Sequence, residues 1–138
     1  MDPACQFRTN LAAIHGATGG IYQDTTAANG DRFTRYIISL DKLNEFPAVK
    51  ACWNYSAGKP DHSSPWHLPS YQEWSAMKLL AQQVVRRGYY WTTTESTRAD
   101  LNYSMWAAVI NRMEFNWSNT VQKTNYAHAR ACYVYPVN

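Results

Sequence analysis

At Gly88 the residue pattern changes from helical to extended, and that change divides the chain into a helical part and a sheet part. Upstream, Ser70-Tyr71-Gln72-Glu73 reads as a capping box. In such a box the serine hydroxyl accepts from the amide three residues on, and the glutamate reaches back to the serine amide. Trp74, Met77, Ala81, Val84 and Val85 then recur at helical spacing and predict one buried face. Arg86 and Arg87 fall in the last turn, where the helix dipole favours cations, and Gly88 suits the C-terminal cap. Downstream, Tyr89 to Thr94 is aromatic and threonine-rich, and Trp106 to Ile110 is apolar. Met113, Phe115 and Trp117 alternate with Glu114 and Asn116, as a half-buried strand requires. Ala131 to Val137 reads as a final strand.

Two further elements precede these. Pro47 suits the first position of a helix, and Ala48, Ala51, Cys52 and Tyr55 follow as one apolar stripe that turns Cys52 towards the core. Gly58 and Pro60 end it. Nearer the N-terminus, Gly20 to Gln23 and Tyr36 to Leu40 read as two strands of a hairpin, with Asn29-Gly30 as a turn dipeptide between them. The order hairpin, two helices and several strands predicts an α+β fold, with two helices packed on a twisted, mainly antiparallel sheet.

Composition narrows the function classes. The chain has 138 residues, enough for one domain spanning 1–138. Hydrophobic residues make up 46% and aromatics 14%, which excludes a disordered chain. No window approaches the roughly 20 apolar residues of a membrane span, so no membrane insertion is expected. A net charge of +3 is too weak to argue for nucleic acid. The N-terminus carries no apolar signal-peptide region, which fits a chain without one or a form from which it has been removed.

The chemistry-bearing residues form no catalytic pattern. His15, His62, His67 and His128 are scattered, with no His-x-x-x-His spacing and no nearby Cys/His group, so no metal site or cofactor is expected. The loops lack the clustered oxygen ligands of a calcium site. Glu95, Asp100 and Glu114 are unpaired by any glycosidase motif and read as solvated surface acids. No glycine-rich phosphate loop is present. Three cysteines, Cys5, Cys52 and Cys132, allow one disulfide with a leftover thiol, or three separate thiols. Pairing Cys52 with Cys132 would close most of the chain and add about 4–5 kcal/mol.

Several of these pieces together resemble a known family. Ala51-Cys52, Trp66-His67-Leu68-Pro69-Ser70 with Glu73-Trp74, Tyr90-Trp91-Thr92-Thr93-Thr94-Glu95 and Ala129-Arg130-Ala131-Cys132-Tyr133-Val134 are similar to motifs of FISUMP-type (major paralogous) domains. They are also similar to those of the C-terminal domains of bacterial collagen-like adhesins. The resemblance covers about residues 19–135, and its most specific part is the Trp66–Trp74 stretch. The family's usual V-R-C-V reads Arg130-Ala131-Cys132-Tyr133-Val134 here, and Ser96 to Tyr126 matches no family pattern. The resemblance implies a C-type-lectin-like fold used extracellularly, on a cell surface or a virion, in adhesins, pilus tips and phage receptor-binding proteins. It implies a disulfide between Cys52 and Cys132. It extends to the variable proteins of diversity-generating retroelements, whose diversified residues lie near the C-terminus on a ligand face.

The segment that escapes the family pattern is rich in binding-type residues. Arg98, Asp100, Tyr103, Arg112, Glu114, Asn116, Trp117, Asn119, Gln122, Asn125 and Tyr126 are the expected ligand-binding residues of a long, loop-rich region. Tyr, Trp and Arg give large contact area at small entropic cost, and amides add adaptable hydrogen bonds. Trp106 and Phe115 are expected in the core, beside Trp66, Trp74 and Trp91. The expectation is a non-enzymatic recognition domain for a host or bacterial cell-surface glycan or protein. The alternatives are a formylglycine-generating-type enzyme on the same fold, or a structural assembly module.

Overall fold

The computed structural model describes residues 3–11, 29–56, 66–77, 88–95, 104–111 and 114–132; for 29, 56, 106, 108–111 and 114–119 it describes the backbone alone. The elements are β1 (Ala4–Gln6), α1 (Asn29–Ser39), α2 (Pro47–Trp53), α3 (Tyr71–Ala76), β2 (Gly88–Glu95), β3 (Ser104–Asn111), β4 (Glu114–Gln122) and β5 (Tyr126–His128). The fold is therefore α+β; the described residues form three α-helices and one five-stranded sheet in the order β1-β5-β2-β3-β4. β2, β3 and β4 form an antiparallel meander. β1 pairs antiparallel with β5, and β5 joins β2 in parallel at Tyr90 and His128, so the sheet is mixed. No helix among the described residues is long and apolar enough to cross a membrane.

One expected element is of the wrong type. Tyr36 to Leu40 is not a strand but the end of α1 and the turn beyond it. The residues buried along α1 are Gly30, Phe33, Thr34 and Ile37, a helical stripe at i, i+3, i+4 and i+7. Asp31 and Arg35 form an i,i+4 ion pair on the outer face. Gly30 is not in a turn: it sits in the first turn of α1, pressed against the segment that leads into α3. A Cβ there would lie 2.2 Å from the Leu68 carbonyl oxygen and 2.6 Å from Glu73 Oε1. Glycine is required at this position by close approach. Residues 20–23, the other half of the expected hairpin, lie outside the described residues.

The other helices form for the reasons their sequences give. α2 starts at Pro47 and buries Ala48, Val49 and Cys52. It ends at Trp53, so the predicted stripe stops short of Tyr55, which is 64% exposed and meets Trp66 edge-on at a centroid distance of 4.7 Å. α3 carries the capping box: Glu73 N–H donates to Ser70 Oγ at 3.2 Å, and Ser70 N–H donates to Glu73 Oε1 at 2.9 Å. Trp74 is buried behind it and its indole donates to the Trp91 carbonyl. Residues 78–87, where the helix was expected to continue, are outside the described set. Gly88 opens β2 with φ at +154°, a conformation that residues with a Cβ rarely adopt. Of the final strand expected over 131–137, Cys132 makes one isolated antiparallel bridge to His67.

An aromatic cluster centres on Phe7. Its ring lies 5.9 Å from Phe33, 5.8 Å from Phe46 and 5.6 Å from Trp91. Pairs at such separations add about 0.5–1.5 kcal/mol each beyond burial. The cluster ties the segment after β1 to α1, to the start of α2 and to β2.

Candidate functional site

The expected ligand residues divide by position. Arg98, Asp100, Tyr103 and Arg112 lie outside the described residues. Glu114, Asn116, Trp117 and Asn119 lie on β4, which ends the strand order and is therefore an edge. Across the β3–β4 ladder Glu114 faces Asn111, Asn116 faces Val109 and Asn119 faces Ala107. Gln122, the last residue of β4, and Asn125 are exposed, and Tyr126 is 70% exposed at the start of β5. The backbone brings these three together, because Asn125 N–H donates to the Gln122 carbonyl at 3.0 Å and closes a tight turn.

That turn rests on a fixed floor. Lys123, inside the turn, points inward and pairs with Glu95 at the end of β2, and neither side chain is exposed. Glu95 is therefore not a solvated surface acid. Its strand brings it under the turn, where burial of a carboxylate requires a cation. Burial lowers the tendency of Lys123 to hold its proton, while the Glu95 hydrogen bond and charge act to keep it. The Lys123 carbonyl accepts from Phe7 and Arg8 N–H at 3.0 and 3.1 Å, and Gln6 Nε2 donates to the Thr124 carbonyl at 3.0 Å. Arg8 is itself held by Glu45, at 2.6 Å, and lies over the Phe46 ring.

A second polar group assembles from segments far apart in sequence. His67 and Cys132 exchange two backbone hydrogen bonds of 2.9 Å each. Glu73 enters from the first turn of α3, and its Oε1 accepts from the amides of Ser70 and Gly30 at 2.9 and 3.0 Å. Its Oε2 lies 2.7 Å from His67 Nε2, and Cys132 Sγ lies 3.6 Å from the same nitrogen. His67 and Glu73 are 1% and 5% exposed. Burial alone would raise the Glu73 carboxyl, but the His67 hydrogen bond and charge, with the two amides, hold it below its ordinary range. Burial pushes the Cys132 thiol far up, and the charges of Glu73 and Cys52 push the same way. The sequence reading missed this cluster, since no local spacing joins its members. The Trp66–Trp74 stretch that carries the family resemblance does hold two of them.

Beside the cluster is a cleft of about 360 Å³ lined by Ala51, Cys52, Tyr55, Trp66, Arg130 and Ala131, among others. Trp66 and Ala131 are the chain neighbours of His67 and Cys132. Cys5, Cys52 and Cys132 are all thiols, so the Cys52–Cys132 disulfide implied by the resemblance is not formed in this structure. Cys132 instead turns its sulfur to His67. Comparison with protein-family models, with curated proteins and with solved structures returns no match.

Proposed function

We propose that the chain is a non-enzymatic, extracellular recognition domain with a C-type-lectin-like fold. Its ligand face is centred on the turn from Gln122 to Tyr126. The observation that carries this reading is the pairing of an exposed tyrosine and two exposed amides with a buried, internally neutralised floor. Binding faces gain from side chains that are rigidly supported yet accessible, because little freedom is then lost when a ligand docks. An aromatic face flanked by amides suits a neutral sugar or a polar protein surface.

The raised thiols support the non-enzymatic reading over a formylglycine-type oxidase. Reactive cysteines have depressed pKa values, whereas burial pushes Cys5 up to about 11 and Cys132 further. The test is the binding of the full chain to arrayed cell-surface oligosaccharides and to intact bacterial and host cells, before and after Tyr126→Ala. Loss of about 10-fold or more in affinity at an unchanged Tm supports the face, since an exposed aromatic anchor is worth more than about 1 kcal/mol. Equal binding by the variant removes Tyr126 from it.

A further inference from the structure

His67, Glu73 and Cys132 present three chemically different donors to one point. Their ligand atoms all lie within 4.8 Å of one another. Around a tetrahedral ion with bonds of about 2.0–2.3 Å, ligand atoms sit roughly 3.3–3.7 Å apart. The 3.6 Å between Cys132 Sγ and His67 Nε2 already matches that spacing, and the 2.7 Å between Nε2 and Glu73 Oε2 needs to open by well under 1 Å.

The supports are those of a built site. His67 and Cys132 are opposed residues of one antiparallel bridge, so their side chains leave the same side of it. The second oxygen of Glu73 is fixed by two backbone amides, an orienting contact of the kind that metal-binding carboxylates have. Among the described residues this is the one group of three such donors. Sulfur, imidazole and carboxylate together select a borderline ion such as zinc over calcium or magnesium, which prefer oxygen alone.

We propose that His67 Nε2, Glu73 Oε2 and Cys132 Sγ form a binding site for a divalent zinc-type ion that clasps α3 to the Cys132 segment. The inference is independent of the recognition face, and either can fail alone. It competes directly with a Cys52–Cys132 disulfide, because a bridged Cys132 has no thiolate to give.

The test uses the full chain, reduced, freed of metal with a chelator, and titrated with Zn²⁺ and with Co²⁺ as a spectroscopic substitute. The expected result is one ion per chain, a thiolate-to-cobalt charge-transfer band and a rise in Tm with added zinc. Cys132→Ser should abolish the band, and Glu73→Gln should keep the fold while weakening zinc by about 100-fold or more, since even contacts behind the ligands are worth 10–100-fold. If Cys132→Ser fails to fold, Glu73→Gln and the cobalt spectrum of the unaltered chain still decide. No stoichiometric binding by the reduced chain overturns the proposal. So does a charge-transfer band that persists in Cys132→Ser, or zinc affinity unchanged in Glu73→Gln.

Discussion

Among the described residues, two buried polar groups differ in how they are made up. Lys123 and Glu95 neutralise one another with no exposed atoms, and the ammonium is the group's own cation. His67, Glu73 and Cys132 bring three donors together, and burial and neighbouring charge oppose ionisation of the thiol among them. The first group pairs a carboxylate with an ammonium beneath the exposed turn. The second holds donors of three kinds, and its chain neighbours Trp66 and Ala131 line a cleft. The two groups thus differ in make-up: one joins a carboxylate to an ammonium, and the other gathers imidazole, carboxylate and thiol around one point.

Breaking the Lys123–Glu95 pair should give the largest effect. Glu95→Ala leaves Lys123 buried without its carboxylate and should lower stability by about 3–5 kcal/mol in denaturant unfolding. Replacing both, as Glu95→Leu with Lys123→Met, should recover most of that loss, because an apolar pair needs no desolvation. A double variant as unstable as the single one would mean that the pair itself, not the orphaned charge, carries the stability.

The three-donor cluster should respond more modestly. Gly30→Ala forces a Cβ onto the Leu68 carbonyl and Glu73, and should cost about 1–3 kcal/mol by thermal unfolding. An Ala variant as stable as the parent would show that α1 can move away from the cluster freely. Acid should act on the same place. The Glu73 carboxyl is held below its usual value, so its contribution is present above the unfolded carboxylate pKa, near about 4.3. It is lost as pH falls further, through the folded value. Stability of the metal-free chain should therefore fall below about pH 4, and the fall should be shallower in Glu73→Gln. Glu45, held down by Asn10 and Arg8, gives a background slope that the Glu73 variant leaves in place.

The exposed turn should give the smallest effect. Substituting Gln122, Asn125 and Tyr126 with alanine removes no buried group, and each should change stability by about 0.5 kcal/mol or less. A large loss would mean that these side chains hold the turn together and do not serve a ligand.

What could be read from the sequence was whatever is decided locally. The Ser70–Glu73 box and Pro47 declare their helices within four residues, and the run from Tyr89 to Thr94 declares a strand through its composition. α1 was misread because Tyr36 to Leu40 is β-branched and aromatic, while the stripe of Gly30, Phe33, Thr34 and Ile37 mixes a glycine and a threonine with apolar residues. Its helical character is decided by packing against the Leu68 backbone and the core aromatics. Glu95 was misread because its partner is 28 residues away, and the His67–Cys132 contact spans 65. The sequence marked Gln122, Asn125 and Tyr126 as binding-type residues by their chemistry, but not the turn that gathers them. Their convergence depends on a hydrogen bond within the turn and on the buried lysine that their spacing does not announce.

The most direct test of the recognition face compares two variants of the full chain on the same oligosaccharide and cell arrays. One carries Gln122→Ala, Asn125→Ala and Tyr126→Ala. The other carries Leu11→Ser and Leu40→Ser, two exposed apolar residues that are not part of the turn, each 45% exposed. The prediction is that the unaltered chain and the second variant bind alike, while the first loses at least about 10-fold in affinity, the scale of a single anchor, at an unchanged Tm. Equal binding by all three, or no binding by the unaltered chain, would contradict it.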